Sequence, residues 1–180
     1  MIYRTEYDTG LIGSLTLASD GKALVGCWFE NDRFFGYGLE GERMERADDL
    51  PFFDEAQTWF DRYFSGGRPL PAELPLAPRG SGFQRRVWNI LTEIPYGKIV
   101  TYGQIAKRLA AESGKNMSAQ AVGGAVGRNP PCVIVPCHRV MGANGNLTGF
   151  GGGIDTKVRL LELEQVDMDG FFAPKKGTAL

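Results

Sequence analysis

Histidine and cysteine are scarce in this chain, and their scarcity limits the chemistry that the sequence can support. The 180 residues include one histidine and three cysteines. An odd number of cysteines cannot form a complete disulfide framework, and a chain of this length can bury a sizeable core without disulfides or metals. One histidine and three cysteines are also a weak signal for a structural zinc site. We therefore expect no bound metal.

Long apolar runs are also missing. No window of the sequence approaches the roughly 20 apolar residues of a transmembrane helix. The first ten residues, MIYRTEYDTG, include acidic side chains and no apolar run, so they do not have the pattern of a secretory signal peptide. Because free cysteines are typical of reducing compartments, we expect an intracellular, cytoplasmic protein that does not bind membranes.

The chain has almost no net charge, but its charges are divided unevenly. The net charge is −1, yet residues 1–78 contain 7 Lys and Arg against 14 Asp and Glu, whereas residues 79–168 contain 11 against 6. This division favours two modules, of which the basic one meets a polyanion. The alternative interpretation is an ordinary fluctuation of surface charge along the chain.

The first half has the patterns of a hairpin and a helix. Apolar residues alternate on both sides of the turn in GSLTLASDGKALVGCWFEND, which predicts a β-hairpin. Apolar side chains recur every three or four residues in DLPFFDEAQTWFDRYFSGG, which predicts a helix that ends at its two glycines. The stretch RPLPAELPLAPRGSG then indicates a linker. We place a domain boundary near residue 78.

The second half has a series of helical patterns. A helix is predicted for each of GFQRRVWNILTEI, TYGQIAKRLAAES and SAQAVGGAVGRN, the third with Ser118 as its N-cap. The stretch PPCVIVPC is expected to be extended, since its prolines exclude a helix. DTKVRLLELEQ predicts a last helix with Asp155 as its N-cap. We therefore expect a second domain at 79–168 and a C-terminal tail at 169–180.

Two of these helices, joined by a short polar turn, form a helix-turn-helix pattern. The second of the two contains the interior glycines Gly123, Gly124 and Gly127, each of which costs roughly 1 kcal/mol of helix propensity against alanine. Two interpretations stay open. Because glycine has no side chain, the helix face that these residues form is flat. That face either packs against a core or enters a groove of nucleic acid with little side-chain bulk.

The only histidine follows a cysteine directly, in the stretch CVIVPCHRVMGANG. A thiol with a pKa of about 8.5 is mostly protonated at neutral pH. A histidine within hydrogen-bond reach, directly or through one water, can take its proton and produce a nucleophile. Adjacent residues of a strand point to opposite faces, so a direct contact of Cys137 with His138 needs a turn. The alternative is an inert cysteine in a core.

Together these motifs resemble the O6-alkylguanine-DNA alkyltransferases, also called methylated-DNA–protein-cysteine methyltransferases. The resemblance rests on IVPCHRVMGANGNLTGFGGG followed by KVRLLELE, and it extends to PYGKIVTYGQIA and AVGGAVGRNP. It implies an α+β fold, with a small N-terminal α/β domain like ribonuclease H and a mostly helical C-terminal domain like a winged helix-turn-helix. This implied fold agrees with the two modules expected from the charges.

The resemblance also implies a function. The protein would be a single-turnover DNA repair enzyme that flips a damaged nucleotide out of the duplex and transfers its alkyl group irreversibly to a cysteine. Its partner would be double-stranded DNA that contains O6-alkylguanine, so it needs access to chromosomal DNA. It would work as a monomer without a cofactor or a metal.

Site residues follow from the resemblance position by position. Cys137 would accept the alkyl group, His138 would deprotonate it through a water, and Glu164 would orient the histidine. Tyr102 would turn the phosphate of the target nucleotide and hydrogen-bond the flipped base. Arg139 would be structural, because it ties the active-site segment to its surroundings.

Further positions would contact DNA or the flipped base. The implied DNA-binding residues are Gln120, Ala121, Gly123, Gly124, Arg128 and Asn129. Asn129 would also brace the turn after the recognition helix, and the guanine pocket would be lined by Val140, Phe150 and Gly151. Two positions depart from the family pattern, since Gln120 stands where an intercalating arginine is usual and Phe150 stands where tyrosine is common.

Three other functions stay open. Gln120 leaves room for a module that recognises alkylated DNA without transfer, but Cys137 argues against it, because such modules have tryptophan at the acceptor position. A cysteine hydrolase would need an oxyanion hole, which no motif indicates. A zinc-stabilised regulator would use Cys132, Cys137 and His138 as ligands, although two of these are adjacent and span a tetrahedral site poorly.

Overall fold

The structure, a computed structural model, describes residues 1–174. Its contacts divide the described residues into two compact units, one of residues 1–80 with 130–134, and one of residues 81–129 with 135–174. The segment 130–134 thus belongs to the first unit, although it lies inside the domain predicted at 79–168. The predicted boundaries stay a proposal, and residues 175–180 of the predicted tail lie outside the described residues.

The first unit is built on a mixed sheet. Its strands are β1 (Ile2–Asp8), β2 (Ser14–Ser19), β3 (Leu24–Phe29) and β4 (Met44–Arg46). They lie in the order β3-β2-β1-β4, and β1 pairs antiparallel with β2 and parallel with β4. The antiparallel pair β2–β3 confirms the predicted hairpin. Every residue of β3 is buried, so this strand is covered on both faces.

One helix and the linker complete this unit. Helix α1 (Pro51–Phe64) confirms the periodic pattern, since its apolar positions are buried. The predicted linker is not free-standing, because it lies along β3. The amide of Leu24 donates to the carbonyl of Pro75 at 2.8 Å, and the amide of Ala77 donates to the carbonyl of Leu24 at 2.9 Å.

The second unit is mostly helical. Its elements are α2 (Gly82–Thr92), β5 (Val100–Thr101), α3 (Tyr102–Ser113), α4 (Ala119–Gly127), β6 (Val140–Met141) and α5 (Ile154–Leu163). The side chains of Ser81, Thr101 and Ser118 cap α2, α3 and α4. Each of these side-chain oxygens accepts a hydrogen bond from a backbone amide that has no partner within the first helical turn. The predicted helices are thus confirmed, and no helix among residues 1–174 is long and apolar enough to cross a membrane.

Two local predictions were wrong. The N-cap of α5 is Gly153 and not Asp155, which lies in the first turn. The stretch 130–136 contains no helix, as its prolines require, but it is folded into tight turns and is not extended. Amides bond to carbonyls two residues back, from Ile134 to Cys132 and from Cys137 to Val135, both at 2.8 Å. Pro136, at φ −80 and ψ 68, has the geometry of an inverse γ-turn.

Candidate active site

Cys137, His138 and Arg139 form a single 3-10 turn just before β6. All three side chains are buried, with exposed fractions of 4%, 0% and 8%. A 3-10 turn rotates successive side chains by about 120°, because it has three residues per turn. The opposite-face geometry of a strand therefore does not apply, and the thiol and the imidazole lie on one turn.

Glu164 holds the imidazole from the end of α5. Its Oε1 lies 2.7 Å from His138 Nε2, and both side chains are fully buried. Glu164 is the C-cap of α5, so the last turn of that helix presents its carboxylate to the turn that carries the cysteine. The contact that the resemblance implies is present, and it leaves Nδ1 as the ring nitrogen not directed at the carboxylate.

Arg139 binds the same carboxylate from the other side. Its Nε donates to Oε2 of Glu164 at 2.8 Å and its Nη2 donates to Oε1 at 2.9 Å. Its Nη1 donates to the carbonyl of Ile94 at 2.6 Å. A bidentate pair of this kind is strong and directional. Arg139 therefore connects the cysteine turn to the end of α5 and to the segment that follows α2.

The turn at residues 95–97 contacts the end of α5, and the sequence analysis missed this contact. The amide of Gly97 donates to Oε2 of Glu164 at 3.0 Å, and the hydroxyl of Tyr96 donates to the carbonyl of Leu163 at 3.0 Å. Gly97 has φ +72, and a Cβ there would lie 2.9 Å from the carbonyl oxygen of Glu164. The glycine therefore permits this close approach, and the sequence PYG was the available signal.

The buried network favours a neutral histidine beside an ionised carboxylate. Burial raises the pKa of Glu164, but hydrogen bonds and charges of His138 and Arg139 outweigh it and hold that pKa well below its usual range. Burial lowers the pKa of His138, and the contact with Glu164 opposes this only in part. The positive charges of Arg139 and Lys157 lower it further. An ionised Glu164 accepts a hydrogen bond from Nε2–H of His138, so Nδ1 carries the lone pair that can take a proton.

The lowered pKa of His138 predicts how the rate of a reaction that uses this base depends on pH below neutrality. A histidine with an ordinary pKa of about 6.5 loses half of its basic form at that pH. Because the pKa of His138 lies lower, we expect the rate of any reaction that uses it as a base to stay constant as the pH falls from 7.5 through 6.5. Single-turnover rates across this range measure it. A rate that halves near pH 6.5 would contradict a buried, neutral base.

Tyr102 is placed by the start of α3, directly after β5. Its ring is buried, and its hydroxyl is shared between the carbonyls of Thr148 at 3.0 Å and Gly149 at 3.2 Å. Burial raises the pKa of Tyr102, and the negative charge of Cys137 raises it further. The hydroxyl therefore stays protonated at neutral pH and remains a hydrogen-bond donor near the cysteine.

A cavity of about 420 Å³ opens beside Tyr102. It is lined by Thr101, Tyr102, Gly103, Ala119, Gly142, Ala143, Asn146 and Thr148. The first residues of α3 and α4 thus share this cavity with the segment that follows β6. Of the predicted pocket residues, Val140 is fully buried, whereas Phe150 and Gly151 are half-buried in the loop before α5.

Helix α4 exposes only its beginning. Gln120 and Ala121 are exposed, whereas Gly123 is buried, which favours the packing interpretation for that glycine. The guanidinium of Arg128 donates to the carbonyl of Gly124 in its own helix at 2.9 Å. Asn129 Nδ2 donates to the carbonyl of Val135 at 2.8 Å in the interior. Asn129 therefore bridges the end of α4 and the segment that leads to Cys137.

The other thiol near this stretch has a separate environment. Cys132 belongs to the first unit, and its Sγ lies 3.7 Å from Oδ2 of Asp32. Among residues 1–174, no group of three or more His, Cys, Asp or Glu side chains could hold a metal ion. The zinc-stabilised regulator therefore lacks the ligand set that it requires within the described part of the chain.

Lys157 is a fully buried charged residue that the sequence analysis missed. Its side chain is fully buried on α5, and its Nζ donates to the carbonyls of Val140 and Thr148. The available signal was helical spacing, because residues 157, 160, 161 and 164 fall on one face, and that face is buried. The sequence analysis did not place a lysine on this buried face, because most lysines are exposed to solvent.

Family models match both halves of the chain. Residues 2–78 match the model described as 6-O-methylguanine DNA methyltransferase, ribonuclease-like domain. Residues 82–166 match the model described as 6-O-methylguanine DNA methyltransferase, DNA binding domain. The expected α+β fold class is confirmed by these matches and by the solved structures below.

Relatives and solved structures agree with the family models. A methylated-DNA–protein-cysteine methyltransferase of Haemophilus influenzae is 38% identical over 92% of this chain and 87% of its own length. The methyltransferase of Methanosarcina acetivorans is 50% identical over 85% of this chain and 92% of its own. The crystal structure of Mycobacterium tuberculosis OGT in complex with DNA has a TM-score of 0.75 at 38% identity, covering 91% of this chain and 92% of that one.

Proposed function

This chain belongs to the methylated-DNA–protein-cysteine methyltransferases, and we propose from that premise that it transfers the alkyl group of O6-alkylguanine in double-stranded DNA onto Cys137. The observation that carries this proposal is the buried turn of Cys137 and His138 with Glu164 on the far ring nitrogen. That arrangement supplies a nucleophile, a neutral base and the group that sets the tautomer of the base.

The alkylated base must leave the duplex before it reaches this turn. Flipping a nucleotide costs a few kcal/mol, and less when the base is damaged. The exposed start of α4, with Gln120 and Ala121, and the cavity that it shares with Tyr102 form the surface that would receive the DNA. Gln120 would fill the space left by the flipped base. It can hydrogen-bond the orphaned partner base, although it lacks the charge and planar fork of arginine.

The reaction follows from the groups on the turn. The thiol proton of Cys137 passes to Nδ1 of His138, directly or through one water, and leaves a thiolate. The sulfur forms a bond to the alkyl carbon, the bond between that carbon and O6 breaks, and its electron pair leaves with guanine. The hydroxyl of Tyr102 gives up its hydrogen bond to one of the two carbonyls that it contacts and donates to the leaving base instead. This hydrogen bond stabilises the negative charge that develops on the base.

The product explains why each molecule acts once. The alkylated cysteine is a thioether, which has no good leaving group, and no described side chain offers chemistry to remove the alkyl group. The reaction is therefore stoichiometric, and the protein is consumed. We also propose that it acts as a monomer in the cytoplasm with access to chromosomal DNA, and that its working domains are 1–78 and 79–168.

One observation favours a second candidate function, the recognition of alkylated DNA without transfer. Gln120 stands where the family usually has arginine, which weakens the argument for efficient flipping. The presence of Cys137 beside a neutral base argues for transfer, because a recognition module has no use for a nucleophile at that position.

Intact-protein mass spectrometry after incubation with duplex DNA that carries O6-methylguanine tests the proposal. We expect each molecule to gain one methyl group, mapped to Cys137 by peptide analysis. Undamaged duplex of the same sequence is the control and should give no mass change. Binding of damaged DNA without a mass gain would support the recognition module, and the absence of both would overturn the proposed function.

A further inference from the structure

The chain beyond residue 166 lies outside the matched family model, yet its apolar side chains pack against the second unit. We call residues 166–172 the C-terminal strap. Its partner is the pocket loop, residues 142–149, which contributes half of the residues that line the cavity beside Tyr102. The contacts between the strap and the pocket loop therefore lie next to the proposed transfer site.

The end of α5 directs the chain towards the pocket loop. Gln165 has φ +59, in the left-handed region, which is uncommon for a residue other than glycine. Its amide donates to the carbonyl of Glu162 at 2.9 Å, and the amide of Val166 donates to the carbonyl of Leu161 at 3.0 Å. These two hydrogen bonds form a Schellman motif, which commonly ends a helix. The direction in which the strap leaves α5 is therefore set by the helix end itself.

Main-chain hydrogen bonds join the strap to the pocket loop. The amide of Phe172 donates to the carbonyl of Gly145, and the amide of Leu147 donates to the carbonyl of Phe172, both at 3.0 Å. The two bonds form one parallel bridge. The next residue of the loop is Thr148, whose carbonyl accepts the hydroxyl of Tyr102 at 3.0 Å. The strap thus binds the loop one residue before the carbonyl that holds the tyrosine.

Side chains add an apolar contact and a close approach. Phe171 packs against the buried cluster that contains Leu147. Gly145 has φ +84, and a Cβ there would clash with the carbonyl oxygen of Gly170 and lie 3.0 Å from the ring of Phe171. The strap therefore lies too close to the pocket loop for a side chain at residue 145. By contrast, the side chain of Phe172 is 49% exposed, so this residue contributes main-chain atoms.

We propose that Phe171 is a positioning residue of the transfer site, which anchors the C-terminal strap and thereby fixes the pocket loop that holds the Tyr102 hydroxyl. In the proposed reaction this hydroxyl leaves one carbonyl and donates to the base, so the carbonyl that it keeps must stay in place. Phe171 acts through Tyr102 and takes no part in bond formation. Its role in transfer rests on the proposed function, whereas the contact between strap and loop does not depend on DNA.

Single-turnover transfer from duplex DNA with O6-methylguanine is the first test. We expect Phe171→Ala to slow transfer roughly tenfold, because a displacement of about 1 Å in a positioned group costs on the order of 10²-fold. The affinity for the damaged duplex should stay near the wild-type value, since the residues proposed to bind DNA are unchanged. Phe171→Leu keeps an apolar side chain and should restore most of the rate.

Phe172→Ala is the matched control. It removes the neighbouring exposed ring and keeps both main-chain hydrogen bonds to the pocket loop, so transfer should proceed at the wild-type rate. A folded Phe171→Ala variant that also transfers at the wild-type rate would overturn the proposal.

A double-mutant cycle with Tyr102→Phe separates positioning from a general loss of stability. If Phe171 acts through the tyrosine hydroxyl, Phe171→Ala should slow transfer much less when that hydroxyl is already absent. A purely structural role would slow transfer by the same factor in both backgrounds. Equal factors would therefore overturn the proposal.

Hydrogen exchange without DNA keeps the proposal testable if Phe171→Ala fails to fold. We expect slow exchange of the Leu147 amide in the wild type, because this amide donates to the strap. Gly145→Ala should displace the strap and remove this protection. Gly66→Ala, at a similar φ of +87 with open space around the added Cβ, should keep it. Exchange of the wild-type Leu147 amide at the rate of an unstructured amide would overturn the proposal.

Failure of the proposed function has a different signature. A wild-type protein that protects the Leu147 amide but transfers no methyl group would overturn the proposed function, and with it the role of Phe171 in transfer. The contact between strap and loop would stand in that case. Normal transfer in the wild type with no effect of Phe171→Ala would overturn the positioning role alone.

Discussion

Replacing Cys137 with alanine is expected to abolish methyl transfer completely and to leave binding to alkylated DNA intact. The sulfur is the atom that forms the new bond, so no other group on the turn can replace it. The residues proposed to bind DNA lie on α4 and around the start of α3, and the substitution changes none of them. Fluorescence anisotropy with damaged duplex measures binding, and intact mass measures transfer.

The other cysteines provide the control for this prediction. Cys132→Ala removes a buried thiol of the first unit that lies against Asp32, and it should leave the methyl gain unchanged. Residual transfer in Cys137→Ala would mean that the acceptor is Cys132 or Cys27. Loss of DNA binding together with transfer would instead show that the thiol supports the fold of the binding surface.

Replacing Glu164 with glutamine is expected to slow transfer and to destabilise the protein. His138 would lose the anion that fixes its tautomer and stabilises its protonated form, and general base catalysis contributes roughly 10²–10⁴-fold to such rates. Arg139 would keep its buried charge without a carboxylate, and breaking a buried pair in this way costs about 3–5 kcal/mol. Single-turnover kinetics and urea unfolding measure the two effects separately.

Glu162→Gln is the matched control for that substitution. Glu162 lies in α5 close to Glu164, but its side chain is exposed, so both the rate and the stability should stay near the wild-type values. An unchanged rate in a folded Glu164→Gln variant would remove Glu164 from the mechanism. An unchanged stability would show that Arg139 is satisfied by the carbonyl of Ile94 and other groups alone.

Acid pH is expected to destabilise the protein through the buried pair of His138 and Glu164. The folded-state pKa of Glu164 lies below its unfolded value of about 4.3, so its contribution to stability is present above that value and is lost as the pH falls below it. His138 acts in the same direction, since its folded pKa is lower than about 6.5 and unfolding below that pH takes up a proton. Both effects make the free energy of unfolding decrease towards acid pH.

Local patterns in the sequence were sufficient for most of the secondary structure. The helices start where Ser81, Thr101 and Ser118 offer a side-chain oxygen to the first turn, and the hairpin turns where SDGK interrupts the alternation. These signals work because the interactions behind them join residues only three or four positions apart. Asp155 was predicted as the N-cap of α5 because aspartate is a favoured N-cap residue. The helix begins two residues earlier than that prediction requires, so Gly153 occupies the N-cap position.

The stretch before the cysteine could not be predicted in the same way. Three prolines exclude a helix in PPCVIVPC, but they are compatible both with an extended chain and with a γ-turn. The turn at Pro136 and the 3-10 turn that follows are what place Cys137 and His138 side by side. Residues 130–134 fold with the first unit, so their conformation depends on partners distant in the chain.

The sequence by itself predicted most of the helices and the hairpin, and it placed a thiol next to an imidazole in the chain, because each depends on short spacing or on residue type. The α+β class was implied by the resemblance to the alkyltransferases. The tertiary structure decided that Arg139 shares Glu164, which the resemblance implied as the partner of His138, that Gly123 faces inward, and that Lys157 is buried against main-chain carbonyls. Glu164 lies 26 positions from His138. Burial and charge pairing depend on such distant residues, whose approach follows from packing of the whole unit and not from any local pattern.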